Sequence, residues 1–273
     1  MWDVEYSVKD DKERLKGLYN ISFVGDEEFA EWYFDHLWKA EQTLVIKEDG
    51  AIVSALQMLP LCFGKENTKI EGCYVFAVCT DPISRGRGLA GALIEKSTEI
   101  CKDKGLEFCA LIAREPTLLE YYARFGFKSV LQVSQKTGKS VRGECILLSF
   151  DHIEEISKIY RCEVGGILHT ERDRVYWQNQ MSVYKAFGLK KNGKLIAYCF
   201  GDIRDSVFYA VEACGENTEK LVGYAAYSEG TDEYKLLSVS NDNGVAIGCI
   251  KPLSSRLEEL IEEEKVYLNL YFN

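Results

Sequence analysis

The sequence predicts a mixed α/β protein with a largely antiparallel central sheet flanked by helices, built as two tandem units of which the second is degenerate. Three observations predict it. Apolar runs of strand length alternate with amphipathic helical stretches along the whole chain. A hairpin signal, Glu48-Asp49-Gly50, has a counterpart in Lys191-Asn192-Gly193, 143 residues further on, and the same order of elements surrounds both. Finally, the apolar run Phe76–Cys79 is closed by Pro82 and followed by Gly86, Gly88 and Gly91 where a helix should begin, and no such stretch recurs in the second half.

Taken in order, Val4–Val8 alternates as an edge strand and Lys12–Tyr19 has helical composition. A second helix is expected from Asp26, a residue type able to cap it, to about Trp38; its aromatic residues Phe29, Trp32, Tyr33 and Phe34 suit a core face and can also line a pocket. Thr43–Lys47 and Ala51–Leu59 form a hairpin across Asp49-Gly50, and Lys65–Asn67 turns the chain into the strand Cys73–Cys79. The helix after the glycines puts Leu89, Leu93, Ile94, Ile100 and Cys101 on one side, and Gly105 ends it. A buried strand at Phe108–Ile112 follows. Pro116 opens a short helix to Phe125, Gly126 stops it, and Phe127 starts another strand.

In the second half, helices are expected near Ile153–Cys162 and Arg172–Met181, then the Asn192-Gly193 hairpin and a strand at Val207–Val211. Helix Thr218–Tyr227, strand Lys235–Val239, helix Ser254–Glu263 and strand Val266–Phe272 complete it. The boundary is set at 142/143, giving a domain over 1–142 and its copy over 143–273. Where the first half has its glycines, the second has Ala213-Cys214-Gly215-Glu216-Asn217, and Glu216 would repel an anion at a helix N-terminus.

Composition narrows the function. A net charge of −10 disfavours non-specific nucleic-acid binding, which relies on cationic contacts to phosphate. No run approaches the ~18–20 apolar residues of a membrane span, and the N-terminus lacks signal-peptide character, so a cytoplasmic protein with no membrane partner is expected. The ten cysteines contain no C-x-x-C pair; Cys73, Cys79, Cys109, Cys199 and Cys249 sit in apolar runs and read as reduced core residues, and no metal site is expected. His36, His152 and His169 show no partner pattern.

The glycine stretch carries chemistry. The first N–H groups of a helix are free to bind an anion, small side chains let it approach, and Arg85 and Arg87 add positive charge. Val78-x-Thr80-x-Pro82-x-x-Arg85-Gly86-x-Gly88-x-Ala90 resembles motif A of the GCN5-related N-acetyltransferases (GNAT family), and Tyr121-Tyr122-Ala123-Arg124-Phe125-Gly126-Phe127 resembles that family's motif B. One active and one degenerate unit in tandem partly resembles the enhanced-intracellular-survival type, without its third, sterol-carrier-like domain.

The resemblance implies transfer of acetyl from acetyl-CoA, a co-substrate, to an amine without a covalent intermediate. It assigns the backbone of Val78, Cys79 and Thr80 to pantetheine and the thioester carbonyl, and Arg85, Gly86, Arg87, Gly88, Leu89, Ala90 and Gly91 to the pyrophosphate, with the arginine side chains reaching phosphate or the adenosine end. It makes Tyr122, four residues before Gly126, the general acid for the departing thiolate, with Tyr121 as the competing candidate. Glu71, Tyr74 and the terminal carboxylate of Asn273 are candidates for the base. Two departures stand out: Ser84, where an aromatic or histidine is common, and Ala113-Arg114-Glu115, where many members carry an asparagine. The acceptor is expected to be a small-molecule or peptide amine, and a homodimer is compatible with the chain. A non-catalytic acyl-CoA sensor and a toxin- or resistance-type acyltransferase with a large substrate are the competing functions.

Overall fold

The first strand, β1 (Glu5–Tyr6), is only two residues long and pairs antiparallel with β2 (Thr43–Glu48). Between them lie α1 (Lys12–Ser22) and α2 (Glu27–His36). Asp26 does not cap α2 with its side chain; the Glu27 carboxylate instead accepts from the Gly25 amide. Asp49 and Gly50, at φ 48° and 78°, make the tight turn from β2 into β3 (Ala51–Lys65), since only left-handed residues match a hairpin's twist. β4 (Thr68–Thr80), α3 (Leu89–Asp103), β5 (Phe108–Ile112) and α4 (Thr117–Ala123) follow where the sequence puts them. The coordinates, a computed structural model, describe residues 2–66, 68–239, 244–263 and 266–269. Asn67 of the expected Lys65–Asn67 turn and the end of the expected Val266–Phe272 strand lie outside them.

Onward from there the chain runs β6 (Lys128–Lys139), β7 (Ile146–Leu147), α5 (Ile153–Val164), β8 (Leu168–Thr170), α6 (Arg174–Val183), β9 (Lys185–Lys191), β10 (Lys194–Arg204), β11 (Val207–Gly215), α7 (Thr218–Ser228) and β12 (Glu233–Val239). It closes with β13 (Val245–Pro252), α8 (Ser255–Glu263) and β14 (Val266–Tyr267). Asn192 and Gly193, at φ 51° and 79°, repeat the turn of the first hairpin.

The chain packs as two compact units whose segments interleave in sequence. Unit 1 holds residues 1–62, 70–129 and 248–263; unit 2 holds 63–69, 130–247 and 264–273. In unit 1 the strands run β1-β2-β3-β4-β5-β13. β4 and β5 are parallel, whereas β13 lies antiparallel to β5, with Cys249 opposite Leu111. In unit 2 the order is β6-β12-β11-β10-β9-β7, with β11 and β12 the parallel pair and β6 antiparallel to β12. Each unit therefore ends its sheet on a strand from the other half of the sequence: β13 serves unit 1 and β6 serves unit 2.

The unit 1 core joins β2–β5 and α3, with Leu93, Ile94, Cys101 and Cys109 fully buried and Cys249 of β13 among them. Unit 2 buries Ala197, Cys199, Phe208, Leu221 and Ala225 against one another in the same manner. All ten cysteines are free thiols, and seven are buried, as reduced core cysteines should be. Among the described residues no helix is long and apolar enough to cross a membrane, and no cluster of His, Cys, Asp and Glu could hold a metal ion.

Candidate active site

In unit 1 the parallel pairing of β4 with β5 covers Gly72↔Phe108, Cys73↔Cys109 and Tyr74↔Ala110, and then stops. Beyond it the two strands separate into a V. Ala77 sits at φ 50° inside β4, a left-handed residue that bends the strand out of register. Such strain persists only where surrounding packing holds it, and strands that part leave amides without ladder partners. Tyr74 lies inside the V: the Ile112 amide hydrogen-bonds its phenol oxygen.

Past the V the chain leaves β4 at Thr80. Asp81 Oδ1 accepts from the Ile83 amide at 2.9 Å, and the Asp81 amide donates to Val53 O, so the outgoing turn is fixed at both ends. Gly86 and Gly88 take φ 77° and 81°, which a side-chain-bearing residue adopts only under strain. Gly88 is the N-cap of α3 and supplies no side chain to the first turn. Consequently the amides of Leu89, Ala90 and Gly91 lack a capping side chain, and no acidic residue stands in that turn. Uncapped amides, the positive end of the helix dipole and the absence of negative charge fit a pyrophosphate. Gly91 has a different reason to be small: a Cβ there would come within 2.8 Å of the Phe125 ring and 3.7 Å of the Tyr121 hydroxyl, so α4 lies directly on the first turn of α3.

The two arginines behave differently. Arg85 is exposed and makes one hydrogen bond, Nε to Thr80 O at 3.1 Å. Arg87 turns its fork onto the Glu48 carboxylate, at 2.8 and 2.5 Å, and stacks over the Trp2 ring at 4.9 Å.

Tyr122 and Tyr121 also diverge. Tyr122 is 7% exposed and packs against Phe127 in the unit 1 core. Burial pushes its phenol well above the usual tyrosine range, with Cys249 and Tyr121 adding to the effect, and it neighbours Tyr74 closely enough to push that phenol up too. Tyr121 instead directs its hydroxyl toward the first turn of α3. Cys79, one of the three cradle-strand positions, is fully buried; burial pushes its thiol up to about 12, which leaves it an inert neutral side chain. Glu71 is exposed on β4, and Asn273 lies outside the described residues.

Sequence reasoning missed several neighbours. Phe76 of β4 meets Tyr19, Phe29 and Tyr33 at ring distances of 6.3, 6.4 and 5.2 Å, so the α1–α2 aromatic residues form a wall beside Ala77. The Tyr33 hydroxyl donates to the buried Gln57 Oε1 at 2.5 Å. Arg114, noted only as a departure after β5, donates to Ser22 O and Val24 O and covers the Phe23 ring at 5.5 Å, tying the α1–α2 loop to the end of β5. These contacts join positions about 90 residues apart, which no local pattern announces.

Residues 3–130 match the acetyltransferase (GNAT) domain family. Over this stretch, just under half of the chain, the protein is similar to GNAT acetyltransferase domains. An uncharacterized N-acetyltransferase of Methanocaldococcus jannaschii is 29% identical over 136 residues, 44% of this chain and 58% of that protein, so the match spans little more than half of the relative's length. Among solved structures, a probable N-acyltransferase from Enterococcus faecalis superposes over 93% of the chain and 71% of its own, with a TM-score of 0.67 at 14% identity. A GCN5-related N-acetyltransferase from Anabaena variabilis gives 0.68 over 92% and 72% at 12% identity, and Eis1 from Mycobacterium abscessus 0.64 over 92% and 73% at 14%. At these identities the likeness is one of fold, and it extends beyond residues 3–130 to 93% of the mixed α/β chain.

Proposed function

We propose that the protein is an acetyl-CoA-dependent N-acetyltransferase that transfers acetyl directly to the amine of a small molecule or peptide, using one cofactor-binding cleft, in unit 1. The observation that carries this reading is the V between β4 and β5 leading into an uncapped helix N-terminus, because the two features suit a thioester arm and its pyrophosphate together. Val78, Cys79 and Thr80 would hold the pantetheine arm through their backbone. Arg85, Gly86, Arg87, Gly88, Leu89, Ala90 and Gly91 would form the phosphate cradle, chiefly through amides.

The division of chemistry follows. Backbone amides of the bent strand would polarise the thioester carbonyl, so that negative charge growing on its oxygen is met by fixed donors. The neutral amine attacks the carbonyl carbon; its proton passes to solvent or a base, and the carbon–sulfur bond breaks with its electron pair on sulfur. Tyr122 would give its proton to the developing thiolate; because a phenol is the weaker acid the transfer runs uphill, so it needs direct hydrogen-bond contact as the carbon–sulfur bond breaks, and the phenolate regains its proton from the thiol or solvent. Burial keeps Tyr122 protonated and, by the same cause, makes it a weaker acid.

We further propose that 1–142 and 143–273 are the two copies of a duplicated sequence, the first binding acetyl-CoA and the second degenerate, although their folded segments interleave. The test is thiol release from acetyl-CoA with polyamines, aminoglycosides and peptides as acceptors, alongside a titration of acetyl-CoA binding. Turnover on at least one amine class is expected. Tight binding with no turnover on any amine would instead favour an acyl-CoA sensor.

A further inference from the structure

Arg87 lies within the phosphate cradle by sequence, but its side chain is occupied elsewhere. Both Nη groups bind the two oxygens of Glu48, a bidentate geometry that fixes direction as well as distance. The guanidinium lies over the Trp2 ring, and the Trp2 indole N–H donates to the Arg87 carbonyl at 3.2 Å. Side chain and backbone of one residue are thus held from two separate elements, the β2–β3 hairpin and the N-terminal segment. The held peptide is the one entering Gly88, whose left-handed φ of 81° starts α3. Arg85, by contrast, is exposed and bonds through Nε to Thr80 O.

We infer that Glu48 and Trp2 are positioning residues for the phosphate cradle, acting through Arg87. This rests on the proposed acetyl-CoA site. A cradle built from backbone amides must present them in one geometry before the anion arrives, and freezing the Arg87–Gly88 peptide supplies that preorganisation. If Arg87 were instead the phosphate ligand, Glu48 would be its competitor, and removing the carboxylate would release a cation to the cofactor. The two assignments predict opposite signs for a single substitution.

Acetyl-CoA binding is measured by calorimetry on the full chain, with folding checked by circular dichroism. Glu48→Gln is expected to weaken binding about 5–20-fold, Arg87→Gln by a similar factor, and the double variant no further than either alone, because both remove the same brace. The KM for acetyl-CoA should rise correspondingly while kcat stays within about twofold. Trp2→Phe, which keeps the ring and loses the N–H, should weaken binding less than Trp2→Ala. Tighter or unchanged binding in Glu48→Gln overturns the inference, as does a double variant whose losses multiply. Failure of the unaltered protein to bind acetyl-CoA would overturn the functional reading itself, a separate result.

Discussion

The two units contain the same device in opposite states. In unit 1 the parallel pair β4/β5 ends at Tyr74↔Ala110, and in unit 2 the parallel pair β11/β12 ends at Ala210↔Leu236. Past that point unit 1 bends at Ala77 and continues through Asp81–Gly88 into an uncapped helix. In unit 2 the residues just past that point, Val211 and Glu212, are bonded by buried side chains of the same unit. Asn269 Nδ2 caps Val211 O at 2.5 Å, and the Asn269 carbonyl accepts from Arg172 and from the Tyr176 hydroxyl. Arg172 meets Glu212 in a bidentate pair at 2.7 Å, both side chains almost wholly buried, and Tyr198 and Tyr267 donate to the same carboxylate at 2.9 Å. Only Glu216 and Asn217 then separate β11 from α7, too little chain to form a cradle, and Glu219 puts negative charge in the first turn. One architecture thus leads from its parallel pair to an uncapped helix in unit 1 and to a buried polar cluster in unit 2.

Replacing Tyr122 by Phe should produce the largest change: kcat falls by about 10²–10⁴-fold with acetyl-CoA affinity nearly unchanged, since only the proton donor is lost. Stopped assays of thiol release under saturating cofactor read this directly, and unchanged turnover would remove Tyr122 from the chemistry. In unit 2 the matching test is of stability. Glu212→Ala strips the buried Arg172 of its counter-charge and should cost about 3–5 kcal/mol, seen in denaturant unfolding. A shift below ~1 kcal/mol would mean that water reaches the cluster. Smaller still, Gly88→Ala imposes left-handed strain of about 1–2 kcal/mol and should weaken acetyl-CoA binding. Asn217→Ala, at the left-handed N-cap of α7 (φ 58°), should leave the cofactor's Kd untouched.

The smallest expected effect concerns pH. Burial raises the Tyr122 pKa above the ordinary tyrosine value of 10.0, so the protonated acid persists to higher pH. The kcat profile should therefore climb as the amine deprotonates and show no descending limb below pH ~10 from Tyr122. A limb near neutrality that vanishes in Tyr122→Phe would contradict this.

Much of this was legible in the chain. The hairpins at Asp49-Gly50 and Asn192-Gly193 are local turn chemistry, and β5 and α4 fall where apolar runs and Pro116 put them. Gly86 and Gly88 are left-handed, at φ 77° and 81°. Gly91 had a second reason: the ring of Phe125, brought against it by helix packing. Asp26 matched the capping residue types, yet Glu27 reached back to Gly25 instead. Trp2 and Glu48 gave no signal, because their partner lies 85 and 39 residues away.

By itself, the sequence determined what short-range forces decide: strand and helix periods, turn residues, the glycine-rich helix start, and the absence of that start in the second half. The tertiary structure alone decided which strand completes which sheet. β13 carries Cys249 into the core of unit 1, and β6 leaves the first half for unit 2, because a strand edge accepts any chain of suitable pattern and burial selects among them. It also decided that Arg172, Glu212 and Asn269 meet. Separately they are ordinary polar residues; together, removed from water, they satisfy much of one another's charge and hydrogen-bonding need.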